Sequence, residues 1–152
     1  SSLREDFMGN HIIVKSDKDD HFTGALAQNA REDESLVIHR GEVTRGQIES
    51  VSIISDQNLA WDVAFFENEN FSNTDMDVDS FVDYESFTVA SGVQIAGAGS
   101  YYYGTSGLDI PYTAGDGRIH VTLVNRSATT KTAGSAGEVV VKIGYKIDGQ
   151  GG

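Results

Sequence analysis

The chain has 152 residues, of which 39% are hydrophobic and 22% charged, and this is the size and composition of one globular domain. Its 23 acidic and 11 basic residues give a net charge of -12. Nucleic acids and anionic membranes would repel such a surface, so neither is expected as a partner. The absence of cysteine excludes disulfides, thiolate metal sites and cysteine nucleophiles.

Apolar residues recur at every second position over much of the chain, and this spacing predicts strands. In chain order the predicted strands are 12–15, 36–39, 47–54, 60–66, 87–95, 101–103, 108–112, 118–124 and 138–147. The segment 60–66 is typical: Trp61, Val63 and Phe65 face one way and Asp62 the other. We therefore expect sheets with one wet face, and we expect Trp61 to be buried.

Short turns rich in glycine, aspartate and asparagine separate these strands. Many strands with short connections predict an all-β fold, an antiparallel β-sandwich with jelly-roll-like topology. One short helix is predicted around 78–84, where Val78, Phe81 and Val82 share a helical face behind Asp77. The expected organisation is a flexible N-terminal arm (1–10), a single β-sandwich domain (11–148) and a flexible tail (149–152).

Catalytic motifs are missing from the sequence. No two of the four histidines have the spacing that binds one metal ion, and His39 and His120 are expected at the surface or at a sheet edge. There is no G-x-S-x-G nucleophile elbow and no phosphate-binding loop. We predict no catalytic residue and no enzymatic activity. A hydrolase that uses two of the many carboxylates is a weaker alternative.

Three aspartates, Asp75, Asp77 and Asp79, have the alternating spacing of calcium ligands. An EF-hand is excluded because Ser80 replaces the turn glycine and Ser86 replaces the final glutamate. A calcium site of another type is a weak alternative to an acidic helix start, so no cofactor is expected.

The clearest candidate for a binding surface is the segment 89–107, which contains no charged residue. It holds three consecutive tyrosines, Tyr101, Tyr102 and Tyr103, and nearby turn glycines that include Gly97 and Gly99. Successive residues of a strand face opposite ways, so at least one tyrosine should be exposed. We predict that these five residues lie at a contact with other subunits, a contact that is mainly apolar and hydrogen-bonded.

Several segments resemble uncharacterised structural proteins of tailed bacteriophages over residues 41–147. The segments that carry the resemblance are NLAWDVAFF (58–66), VQIAGAGSYYY (93–103), LDIPY (108–112), LVNRSA (123–128) and GEVVV (137–141). All of them lie in predicted strands or turns, and none contains a catalytic signature.

The resemblance implies a virion component, of the decoration or cement type that binds and stabilises a capsid lattice. Its implied partners are the major capsid protein or other virion subunits, and the chain would form a homo-oligomer. The resemblance supplies no functional residues. The alternative hypothesis is a receptor- or carbohydrate-binding head domain of a phage tail protein.

Overall fold

The computed structural model describes residues 11–39, 41–68, 79–97 and 99–148. These residues contain two 3₁₀ helices, Val89–Ser91 and Gly134–Gly137, both far too short to cross a membrane. They also contain ten strands: β1 His11–Lys15, β2 Arg31–Val37, β3 Thr44–Ser55, β4 Trp61–Phe66, β5 Phe81–Phe87, β6 Val93–Gln94, β7 Tyr101–Thr105, β8 Ile110–Ala114, β9 Arg118–Asn125 and β10 Val139–Ile147. The predicted arm and tail lie outside the described residues.

The strands pair as one long antiparallel hairpin that has been rolled up. β1 pairs with β10, β2 with β9, β3 with β7 and β8, and β4 with β5. Rolling places β10 beside β3 and β9 beside β4. The larger sheet then has the order β1-β10-β3-β7-β6, with β8 also paired to β3, and the smaller sheet has the order β2-β9-β4-β5. This is jelly-roll topology, and it confirms the predicted β-sandwich.

The core lies between the two sheets and comes from the alternating positions of the sequence. On β10 every second residue from Val139 to Tyr145 is buried, and on β4 Trp61, Val63 and Phe65 have no exposed surface. The predicted burial of Trp61 is therefore confirmed. Turns need glycine where strands approach closely: Gly117 has φ +74°, and a Cβ there would collide with the carbonyl of His39.

The predicted helix at 78–84 is wrong, and of the predicted strand at 87–95 only Phe87 and Val93–Gln94 lie in strands. The structure places Phe81–Phe87 in strand β5, and Val78 lies outside the described residues. Three apolar residues at helical spacing are too few to hold an isolated short helix, whereas pairing with β4 satisfies the β5 backbone. The chain leaves β5 through a 3₁₀ turn, in which Thr88 and Ser91 cap each other, and then enters the two-residue strand β6.

Strand β2 begins five residues before the predicted strand at 36–39. Its first residues are polar, so alternation of apolar residues does not predict them as a strand. Their side chains instead form hydrogen bonds along the sheet edge. Asp33 accepts a hydrogen bond from Thr122 Oγ1 at 2.6 Å, and Glu34 accepts one from the Phe22 N–H at 3.3 Å. Burial raises the pKa of each of these two carboxyl groups above the ordinary value for its residue type.

Candidate functional site

The three consecutive tyrosines have three different environments on β7. Tyr103 faces the core with no exposed surface, Tyr101 is half-buried against the core, and Tyr102 points outward with 44% of its surface exposed. Tyr103 is therefore wrong as an interface residue. Its hydroxyl accepts the Leu59 N–H at 3.0 Å and donates to Asn58 Oδ1 at 2.6 Å, so it closes a buried hydrogen-bond network.

Gly97 and Gly99 lie in the turn between β6 and β7. The hairpin pairs Val93 with Tyr102, and the Ile95 N–H donates to the Ser100 carbonyl at 2.9 Å. Gly97 has φ +71°, a conformation that favours glycine, and a Cβ on either glycine would meet nothing within 4 Å. The turn is thus accessible, and its predicted contact with another subunit stays a prediction.

An exposed apolar row crosses four strands on the outward face of the larger sheet. Val140 of β10 pairs with Ile54 of β3, Ile54 pairs with Tyr102 of β7, and Tyr102 pairs with Val93 of β6. Directly paired residues share one face of a sheet, so their side chains stand side by side. Val140 and Ile54 are half-buried, and Val93 is 63% exposed. These four residues are called the apolar row below.

Small residues flank the apolar row and leave a shallow groove beside it. The ring of Tyr102 lies over Gly104, where any Cβ would collide with it. The groove continues over Ser50 and Ser52 of β3. Its floor offers hydroxyl groups next to an aromatic ring, a composition suited to contact with another protein surface.

Two lysines lie next to the apolar row on the same face. Lys142 of β10 stands directly opposite Lys15 of β1, and neither forms an ion pair with any described residue. Like charges in such a pair destabilise a sheet. The chain as a whole has a net charge of -12, yet these two positive charges lie beside the exposed apolar side chains.

His120 is fully buried, so the prediction of a surface or sheet-edge position is wrong for it, while His39 is exposed as expected. On the outward side of the smaller sheet, His120 Nδ1 lies 2.7 Å from Ser35 Oγ, and Nε2 lies 3.2 Å from Asp116 Oδ2. Two polar partners on opposite sides of the ring are what a buried imidazole needs.

The Ser35–His120–Asp116 chain has the residue types of a hydrolase triad, and its surroundings favour a structural role. Ser35 is the direct cross-strand partner of His120, so the contact follows from sheet register. Neither Ser35 nor His120 is among the residues that line the hollows around Arg45, Lys15, Ser50 and Ala64. A catalytic base must reach a substrate, and the His120 side chain has no exposed surface.

Two of the three aspartates of the calcium hypothesis lie outside the described residues. Asp75 and Asp77 are outside the described residues, and Asp79 is exposed in the turn before β5. Within the described ranges no three histidine, aspartate or glutamate side chains are grouped to hold a metal ion. The calcium hypothesis therefore stays a prediction.

Comparison with known proteins gives no functional assignment. No protein-family model matches the chain, and no curated protein matches it. The solved structures that it retrieves include L-ribose isomerase of Cellulomonas parahominis, without ligand and with L-psicose. Each is 10% identical over 90% of this chain, with a TM-score of 0.17, and this chain spans 61% of its length. Similarity this low carries no argument about fold or activity.

Proposed function

We propose that this chain is a non-enzymatic virion structural protein, a decoration or cement protein that binds and stabilises a capsid lattice. The observation that carries the proposal is the apolar row, because it places the exposed Tyr102 and Val93 side by side on a chain of net charge -12. Viral capsid domains commonly have jelly-roll folds, which is an analogy at the level of fold alone. The resemblance of residues 41–147 to phage structural proteins points the same way.

The proposed contact is the outward face of the larger sheet. Its centre is the apolar row, which the β6–β7 turn with Gly97 and Gly99 extends at one end. Lys15 and Lys142 stand at its rim, where carboxylates of the major capsid protein or another virion subunit would relieve their mutual repulsion. The apolar centre should let the contact survive moderate salt, while the lysine rim sets orientation.

The size of the apolar row indicates how the chain would bind. Full burial of a Val or Ile side chain contributes roughly 1.5–3 kcal/mol, and these side chains are already partly covered. One subunit would therefore bind weakly, whereas a homo-oligomer presenting several copies to a repeating lattice would bind tightly through avidity. This argument favours the homo-oligomeric arrangement that the resemblance implies.

The proposal is tested by locating the chain and then disrupting the face. An antibody to this chain should label the capsid shell of virions, and label confined to the tail would instead support the receptor- or carbohydrate-binding head. In co-sedimentation with capsids that lack the protein, Tyr102→Asp should lose at least tenfold in affinity. Tyr84→Asp is the matched control, since Tyr84 is 54% exposed on the other sheet. Equal binding by both variants, or equal loss, would contradict the proposed interface.

A further inference from the structure

A separate hollow lies on the outward face of the smaller sheet, on the side of the sandwich opposite the apolar row. Its volume is about 300 Å³, at the small end of the range for small-molecule sites. It is lined by Asp62, Ala64, Phe81, Tyr84, Val124 and Arg126. This set, called the hollow below, has two aromatic rings, an aliphatic floor and a pair of opposite charges.

The hollow exists because a small residue sits in the middle of the sheet. Ala64 of β4 is the direct partner of Tyr84 on β5 and of Thr122 on β9, so a large ring stands beside a methyl group. An irregularity in the β4–β5 pairing then pairs Phe81 with Phe66, and the rings of Phe81 and Tyr84 lie 6.4 Å apart at 41°. Tyr84 is 54% exposed, so one ring remains available for contact.

The polar side of the hollow is a pair of opposite charges, each with a further hydrogen-bond partner. Arg126 Nε lies 3.6 Å from Asp62 Oδ2, and Asp62 Oδ1 accepts a hydrogen bond from Ser86 Oγ at 2.7 Å. Arg126 Nη1 also donates to Asn29 Oδ1 at 2.8 Å. A carboxylate and a guanidinium held in this way retain further lone pairs and N–H groups that a ligand can reach.

We propose that the hollow binds a neutral sugar ring. The C–H face of a pyranose matches the Tyr84 ring and the floor of Ala64 and Val124, as aromatic and aliphatic surfaces require. Its hydroxyl groups match the mixed acceptors and donors of Asp62 and Arg126. An anionic ligand would meet the Asp62 carboxylate, and a wholly apolar ligand would bury the charged pair without new hydrogen bonds.

The test is saturation-transfer NMR on the whole chain with glucose, galactose, mannose and N-acetylglucosamine at about 10 mM, a concentration that detects millimolar affinity. At least one of these sugars should receive magnetisation at its ring C–H protons, and glucuronate should bind at least tenfold more weakly. Tyr84→Ala, which removes the ring, and Ala64→Leu, which fills the hollow, should each weaken binding at least tenfold. Tyr102→Ala on the opposite face is the control and should bind normally.

Three results would overturn the proposal: none of the four sugars binds, binding survives either variant of the hollow, or the control variant loses it too. Circular dichroism of each variant establishes that the fold is intact, and Tyr84→Ala keeps the test valid if Ala64→Leu does not fold. Because the hollow and the apolar row lie on opposite faces, failure here leaves the capsid-binding proposal unaffected.

Discussion

The buried hydroxyl of Tyr103 should stabilise the fold, and the exposed hydroxyl of Tyr102 should not. Tyr103→Phe removes the acceptor of the Leu59 N–H, and Leu59 is itself buried. A buried donor left without a partner costs roughly 1–3 kcal/mol. Asn58 also loses its bond from Tyr103, although it is half-exposed and can turn to water. We therefore expect the free energy of unfolding to fall by about 2 kcal/mol, or about 4–8 °C in melting temperature.

The assay is guanidinium unfolding followed by the fluorescence of Trp61, the single tryptophan, which is fully buried in the folded chain. Tyr102→Phe is the matched control and should unfold within about 0.5 kcal/mol of wild type. The denaturant slope should be equal in all three proteins, so that midpoints report stability alone. If Tyr103→Phe also unfolds within about 0.5 kcal/mol of wild type, the buried network does not contribute as argued.

Three other predictions concern the core, alkaline pH and metal. Trp61→Ala should destabilise by about 3–5 kcal/mol, measured by circular dichroism; near-wild-type stability would contradict its place in the core. Burial raises the pKa of Tyr145 to about 12 and that of Tyr112 further, so the folded state binds more protons than the unfolded state above about pH 10. Stability should therefore fall there by up to about 1.4 kcal/mol per pH unit for each phenol, and Tyr145→Phe should reduce the slope of guanidinium midpoints against pH. A chelator should leave the melting temperature unchanged, because no calcium site is expected at Asp75, Asp77 and Asp79; a fall of several degrees that added calcium restores would contradict this.

The sandwich was predictable because alternation fixes which face of each strand is buried. Val139, Val141 and Ile143 could be assigned to the core from spacing alone, and the structure buries all three. The first five residues of β2 could not be found in this way, because they are polar and partners such as Thr122 for Asp33 are set by the pairing of strands. The segment Phe81–Phe87 was misread because a disturbed register with β4 breaks its alternation, and register is a property of two strands together.

The candidate site was predictable only in part. An uncharged segment with three tyrosines indicated a surface, and alternation required one of them to be exposed, as Tyr102 is. Which tyrosine it would be depended on the register with β3, and so did the alignment of Val140 and Ile54 into one row. The hollow was missed altogether, because Ala64 and Tyr84 meet only through pairing of β4 with β5.

The outermost strands of the two sheets differ in charge. Among the described residues, the smaller sheet has β2 at one edge and β5 at the other. Strand β2 carries Glu32, Asp33 and Glu34, and β5 carries Asp83 and Glu85. Charged edges of this kind prevent strand-to-strand association. Along its main path the larger sheet ends instead at β6, which is uncharged and two residues long, and at β1, which carries Lys15 and an Ile13 that is 75% exposed. The edges without acidic side chains therefore belong to the same sheet as the apolar row. A subunit that docks through this sheet would keep the acidic edges and the hollow of the smaller sheet turned away from its partner.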